Sequence, residues 1–312
     1  MKLKKAFMLT ILSALVAMFA SCGFAATKHG DVFKLGRYLY EVTYDDYEYD
    51  EYASLKPVSY ARRNFGCTSV RNGAFLGRNF DFYFDEVPEY VIHVTGNKFR
   101  YASLGVAYPF TAKFFEDMGR DEYTALPWQT IDGVNENGVA INVNVCPVKD
   151  LLLHISTGGT HPEDPKYPDL NISAVVRYVL DNAKTAKHAI KLLESKNIVN
   201  DVLDNGRFSG TEYGFHFMIN DAKDCFIVEW RDDKMYYTKD DRIMTNFFNT
   251  LDDYTPHAVG IERYELMEEN IIKQKNNGID NYKYNSDKVY KLLKKYKITY
   301  KDITKDSILK LI

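Results

Sequence analysis

The chain has 312 residues, of which 46% are hydrophobic and 27% charged, with 40 Lys+Arg against 43 Asp+Glu and a formal net charge of −3. An apolar fraction of this size can bury a core, so wholesale disorder is excluded, and the length suits one large domain or two small ones. The near-neutral balance lacks the basic footprint of a nucleic-acid binder. Four Cys with no C-x-x-C pair exclude a disulfide-dense scaffold and a structural zinc site.

In chain order, the N-terminus opens on Lys2, Lys4 and Lys5, followed by a mostly apolar run over 6–20 and the small residues Ser21, Cys22 and Gly23. The run is short for a membrane span and has the layout of a removed export signal. Phe19-Ala20-Ser21-Cys22 resembles a bacterial lipobox, in which Cys22 would be lipidated. Ordinary signal cleavage near Ala25 is the other reading. On either, the protein is expected to be exported, as a cell-surface or periplasmic lipoprotein or as a secreted protein. Residues 38–52 then mix Tyr with Asp and Glu, which reads as an exposed strand or surface loop, or as a pro-segment lying across a groove.

From Asn64 the texture becomes strand-like. Residues 67–70, a turn at Arg71-Asn72-Gly73 and residues 74–82 predict a hairpin, because Asn-Gly supplies the positive φ angles of a tight turn. The pattern recurs at 91–95 and 99–104 around Gly96-Asn97, and at 129–132 and 139–145 around Asn135-Glu136-Asn137-Gly138. Apolar residues at helical spacing (Val175, Val176, Val179, Leu180; Ala189, Ile190, Leu192, Leu193) predict two packed helices over 171–182 and 185–195. Strands follow at 213–219, 225–230 and 235–238, and the chain turns helical after Gly260, with a basic amphipathic helix at 286–296. Strands grouped with strands and helices with helices imply an α+β fold with antiparallel sheets.

The chemistry concentrates at Phe65-Gly66-Cys67-Thr68-Ser69-Val70 and Gly77-Arg78-Asn79-Phe80-Asp81. A Cys after Gly starts one strand, and an Arg and an Asp lie three apart on the returning one. A neighbouring cation favours thiolate, and a carboxylate can orient an amine. Taken alone, the pattern reads sooner as a half-buried structural Cys beside a surface ion pair.

These two stretches resemble the start of the mature chain in the choloylglycine hydrolase and penicillin V acylase family. These are N-terminal-nucleophile hydrolases related to acid ceramidase and N-acylethanolamine amidase. Four further stretches are similar to that family's motifs, in its order: Gly133-Val134-Asn135-Glu136-Asn137-Gly138-Val139, residues 215–229, Met244-Thr245-Asn246, and Gly260-Ile261-Glu262-Arg263-Tyr264. The resemblance implies a four-layer αββα sandwich and, after the signal read at 1–22, a pro-segment over 23–66 and an amidase domain over 67–312. It implies Cys67 as nucleophile with its own freed α-amine as base, Asp81 holding that amine, and Arg78 and Arg263 flanking the thiol. Asn246 and Asn144 would be oxyanion donors, with Asn142 sharing Asn144's strand face.

Cleavage at Gly66–Cys67, by Cys67 itself, is then required. No metal or organic cofactor is implied. The expected partner is a small acyl amide: a conjugated bile salt, penicillin V, an N-acyl homoserine lactone or an N-acyl lipid amide. Nucleic acid is not expected, membrane attachment would run through Cys22, and homo-oligomerisation is left open. The family's usual strands after the late Arg are not evident, so either helix replaces them or the chain is truncated at the C-terminus. An acyltransferase of the same fold and a non-catalytic surface lipoprotein binding an acylated ligand are the alternative functions.

Elsewhere, Cys146 and Cys225 read as a disulfide or as buried thiols. His216 reads as a core or edge residue, and Glu229 and Trp230 as packing residues. Glu116-Asp117 reads as a solvated pair, and His154 and His161 as flanking a surface turn.

Overall fold

The structure is a computed structural model and describes residues 28–47, 66–72, 75–80, 88–108, 122–147, 164–199, 213–251 and 260–276. In chain order the strands are β1 (Lys28–Lys34), β2 (Leu39–Asp46), β3 (Thr68–Asn72), β4 (Phe75–Asn79), β5 (Glu89–Val94), β6 (Ser103–Ala107) and β7 (Thr130–Asn135). They continue as β8 (Ala140–Pro147), β9 (Asp169–Asn171), β10 (Asn197–Val199), β11 (Tyr213–Asn220), β12 (Cys225–Arg231), β13 (Lys234–Lys239) and β14 (Ile243–Met244). The helices are α1 (Val175–Asn182), α2 (Ala186–Glu194) and α3 (Ile261–Asn276), with 3-10 segments at Glu122–Gln129 and Ile172–Ala174.

Two sheets stack. The larger runs β1-β2-β5-β6-β7-β8-β11-β12-β13 and the smaller β14-β3-β4. Every pairing in them is antiparallel except β2 with β5. Alternation sorts the large sheet's side chains by face. Val42, Tyr44, Ile92, Ile141, Phe217, Val228 and Trp230 join Val175, Val176, Val179, Leu180, Ile190 and Leu193 of α1 and α2 in one core. On the opposite face Met218, Cys225 and Ile227 meet Met244 and Leu76 of the small sheet. Helix α3 covers that sheet's far side at β3 and β14. The order helix, sheet, sheet, helix is the expected αββα sandwich.

Helix α1 has only eight residues and would not persist alone. Its four buried apolar side chains each contribute about 1.5–3 kcal/mol by leaving water. The helix sits so low on the sheet that a Cβ on Gly133 would lie 2.8 Å from Leu180 Cδ1 and 2.6 Å from the Leu104 carbonyl. The Asn135–Gly138 turn ties down its C-terminal end. Asn135 Nδ2 donates to the carbonyls of Leu180 (3.0 Å) and Ala183 (2.8 Å), while its Oδ1 accepts from the backbone of Asn137 and Val139.

Three elements differ from expectation. The strand expected at 99–104 starts at Ser103, because Asn97 Oδ1 accepts from the backbone N–H of both Phe99 and Arg100 and prolongs the turn. The start of the helix expected at 171–182 is a strand and a 3-10 turn, with Asn171 Oδ1 capping Ser173 N. Most consequentially, the described part of the Tyr-rich stretch expected as an exposed strand or a surface loop, 38–47, carries the interior strand β2, flanked on its outer side by the largely exposed edge strand β1. The two strands form a hairpin at one end of the large sheet, with Val42 and Tyr44 of β2 fully buried. The expectations for Glu116-Asp117, His154, His161 and 286–296 lie outside the described residues, as does the fate of Cys22.

Candidate active site

Cys67 stands at the head of β3, between the two sheets, with 1% of its surface exposed. Arg263, in the first turn of α3, gathers the segments around it. One terminal nitrogen, Nη1, donates to the Cys67 carbonyl oxygen and to Thr68 Oγ1 (2.8 Å). The other, Nη2, donates to Asn246 Oδ1 (2.8 Å). A planar fork with fixed donors can bridge two such points, where a single ammonium could not. Gly260 makes the approach possible. Its φ is +89°, and a Cβ there would lie 2.5 Å from Arg263 Nη2 and 3.1 Å from Thr245 Cβ.

Asn246 is fully buried just past β14. Its Nδ2 donates to the Val145 carbonyl (2.7 Å), and its second amide hydrogen has no hydrogen-bond partner among the described residues. Asn144, also fully buried, has Nδ2 donating to the carbonyls of Met244 and Thr245, both at 3.1 Å. Its described bonds therefore clamp β8 to the Asn246 segment, rather than leaving an amide hydrogen for an oxyanion as expected. Asn142 shares its face, is fully buried, and has neither amide atom hydrogen-bonded among the described residues.

Arg78 crosses from β4 to the large sheet with 6% of its side chain exposed. Nη1 pairs with Asp132 Oδ2 (3.1 Å), Nη2 donates to the Val143 carbonyl (2.6 Å), and the guanidinium lies 4.4 Å over the Phe80 ring. Burial raises the carboxyl pKa values of Asp132 and Glu89, with Arg78 opposing the rise in both and Asp132 adding to it at Glu89. The structure thus brings Cys67, Arg78, Asn144, Asn246 and Arg263 to the space between the sheets. Asp81 lies outside the described residues.

Three further residues support the site: Asp132, which sequence reasoning passed over, and His216 and Glu229, which it read as a core or edge residue and a packing residue. Asp132, the partner of Arg78, was visible only as an acid within an otherwise half-apolar strand. His216 and Glu229 face each other across β11 and β12, both fully buried. His216 Nε2 lies 2.9 Å from the Thr245 carbonyl and Nδ1 3.3 Å from Glu229 Oε1. Glu229 also accepts from the backbone N–H of Asn249 (2.6 Å) and Thr250 (3.0 Å). The pair therefore pins both sides of the segment that presents Asn246. The available signal was a charged pair inside two apolar strands.

Cys146 and Cys225 are buried free thiols rather than a disulfide, and Cys67 is buried like them. Cys225 packs with Met218 and Met244, and its thiol pKa is pushed up to about 12 by burial. Cys146 packs with Phe248, and burial, then Glu229 and Cys67, hold its thiol well above the usual range. Among the described residues no cluster of three or more His, Cys, Asp or Glu could hold a metal ion, and no helix is long and apolar enough to cross a bilayer.

A sequence profile described as linear amide C–N hydrolases, choloylglycine hydrolase family, matches residues 67–286 and so begins on Cys67. The chain is 32% identical over 122 residues to a penicillin V acylase of Pectobacterium atrosepticum, a stretch covering 38% of this chain and 30% of that protein's length. A mutant conjugated bile acid hydrolase of Clostridium perfringens superposes with a TM-score of 0.41 at 18% identity, covering 60% of this chain and 54% of the other. A second variant of that enzyme gives 0.33 at 15% identity, covering 63% and 49%.

Proposed function

The chain belongs to the choloylglycine hydrolase family of linear amide C–N hydrolases, and from that premise we propose that it is an exported cysteine amidase acting through an N-terminal nucleophile. The Cys67 thiol attacks the Gly66 carbonyl carbon, and the acyl group moves from nitrogen to sulfur. Water hydrolyses the resulting thioester, releasing the Gly66 carboxylate and freeing both the thiol and the α-amine that becomes the base built into the nucleophile. That amine takes the thiol proton as sulfur attacks the substrate's amide carbon. The tetrahedral oxyanion accepts a hydrogen bond from Asn246, whose second amide hydrogen points to no other described partner. Collapse expels the amine half with the returned proton and leaves a thioester on Cys67. Water, deprotonated by the same α-amine, then releases the acid.

In this reading Arg263 and Asn144 position the oxyanion donor, and Arg78 with Asp132 forms the charged wall of the site. The substrate is a linear, non-peptide amide with an apolar acyl half: a conjugated bile salt, penicillin V, an N-acyl homoserine lactone or an N-acyl lipid amide. The N-terminal signal, read from 1–22, supports export, with lipidation at Cys22 as the membrane attachment.

The observation that carries the proposal is the Arg263 fork, which joins the carbonyl of Cys67, at the head of β3, to the side chain of Asn246, just past the paired strand β14. The test is hydrolysis of a panel of these four amide classes by the wild type and by Cys67→Ala, with and without an added amine acceptor. Acid release by the wild type alone supports the amidase. A new amide formed with the acceptor in place of acid makes the protein an acyltransferase. Binding of an acyl amide without turnover makes it a non-catalytic surface protein.

A further inference from the structure

We propose that the segment ahead of Cys67 is a permanent second subunit of the mature protein, held in the large sheet by the hairpin β1–β2 and by Tyr47 after the Gly66–Cys67 bond is cut. The proposal rests on the cleavage reading above, and it concerns what happens to the piece cut away.

Strand β2 is interior to the sheet. It pairs with β1 on one side and, in a six-residue parallel register from Leu39↔Glu89 to Tyr44↔Val94, with β5 on the other. Two further backbone bonds extend this seam, Glu89 N to the Tyr38 carbonyl (2.7 Å) and Thr95 N to the Tyr44 carbonyl (2.9 Å). Without the hairpin, β5 would become a bare edge of unpaired N–H and C=O groups.

The side chains make the same case. Val42 and Tyr44 have no exposed surface and belong to the core formed with α1 and α2. The Tyr44 hydroxyl donates to the Tyr123 carbonyl at 2.7 Å.

Tyr47 completes the attachment. Its hydroxyl donates to Asp181 Oδ2 at 2.5 Å, and Asp181 is itself a fully buried carboxylate paired with Arg177 at 2.6 Å. The Tyr47 ring lies under the Arg100 guanidinium (4.5 Å) and edge-on to Trp128 (5.5 Å). Arg100 in turn reaches Asp46 Oδ1 at 3.2 Å. Withdrawing Tyr47 would strip a donor from a buried carboxylate and open the core beneath Trp128.

A segment whose task is to block the site and leave would lie across Cys67 and make replaceable contacts. This hairpin instead contributes to the core on the helix-facing side. In the sheet order β5, β6 and β7 separate it from β8, the strand that carries Asn144. As a consequence, whatever anchors the N-terminus anchors the enzyme, cut or uncut.

The test uses the full chain. In one arm the wild type is isolated as it matures. In the other, Cys67→Ala carries a sequence-specific protease site between Tyr47 and Gly66 and is cut while folded. Each is passed over a sizing column in native buffer and in denaturant, and the fractions are identified by intact mass. Both cut proteins are expected to elute natively as a single species holding both pieces, and to separate only in denaturant. Tyr47→Phe in the second arm is expected to let the pieces part at a lower denaturant concentration. An N-terminal piece that elutes freely in native buffer, leaving 67–312 folded and soluble, would overturn the proposal. A wild type that stays uncut, while the engineered cut leaves both pieces together, supports the hairpin's attachment and sinks the cleavage reading alone.

Discussion

Two arginines at the layer interfaces work in opposite ways. Arg177 is fully buried and pairs with Asp181 one helical turn away, so its charge is neutralised within α1 and the pair serves Tyr47 and Ser103 as a fixed polar support. Arg263 reaches a backbone carbonyl and a hydroxyl in a segment far from it in the chain, and an amide oxygen 17 residues before it. The first arrangement closes on itself and holds the N-terminal hairpin. The second converges on Cys67 and keeps one amide hydrogen of Asn246 uncommitted. Similar residue types thus build a lock in one place and the proposed reaction site in the other, and what separates them is the partner: a carboxylate one turn away for Arg177, and neutral oxygens at and beside Cys67 for Arg263.

Breaking the convergence at Arg263 should have the largest effect. Arg263→Lys keeps a positive charge but loses the fork, and kcat/KM should fall about a hundredfold to a thousandfold, the usual loss when an oxyanion donor is misplaced. Unchanged turnover would mean that charge alone suffices and that the bridge to Asn246 is incidental. Next, Glu229→Ala leaves His216 and the N–H groups of Asn249 and Thr250 without their acceptor inside the protein. About 3 kcal/mol of stability should be lost in denaturant unfolding. Glu229→Gln, which keeps an acceptor, should recover stability before kcat, because the Asn246 segment remains less firmly held.

On the lock side, Tyr47→Phe removes one hydroxyl bond to a buried carboxylate and should cost about 1.5–3 kcal/mol in the same assay, with kcat unaltered. A rate loss there would erase the distinction between lock and site.

The smallest effect is expected at Asp221, whose carboxylate accepts from the N–H of Ala186, Lys223 and Asp224 and so caps α2. Burial pushes its pKa up, but those three N–H groups and Arg71 outweigh it and hold the carboxyl below its ordinary 3.8. A depressed carboxyl stabilises the fold fully above the unfolded value and loses that contribution as pH falls through the folded one. Asp221→Ala should therefore cost about 1 kcal/mol near neutrality. The gap to the wild type should close in acid, which unfolding curves at stepped pH would show.

Much of this was legible in the sequence because the motifs encode local geometry. The Asn-Gly turns, the strands from β7 to β13 and both helices α1 and α2 follow from turn chemistry and periodicity. Cys67, Arg78, Asn246 and Arg263 follow from ordered motifs. What stayed hidden depends on partners distant in the chain. A stretch such as 38–47 reads as solvent-exposed because Tyr is amphipathic; Tyr44 and Tyr47 bury their rings while the hydroxyls find acceptors on other segments. A parallel pairing such as β2 with β5 has no tight turn to announce it. Parity placed Asn142 and Asn144 on one face, but only the positions of Met244 and Thr245 show what Asn144 holds. The acid of Asp132 and the His216–Glu229 pair became interpretable only once the second sheet lay over them.

The account turns on Cys67 being the first residue of the working chain. The most direct measurement is N-terminal sequencing with intact mass of the purified wild type beside Cys67→Ala. The account predicts a wild-type chain beginning at Cys67, together with an N-terminal fragment, and an uncut variant. A wild type left whole across Gly66–Cys67, yet hydrolysing an amide, would contradict it, because the thiol would then be working without an α-amine of its own.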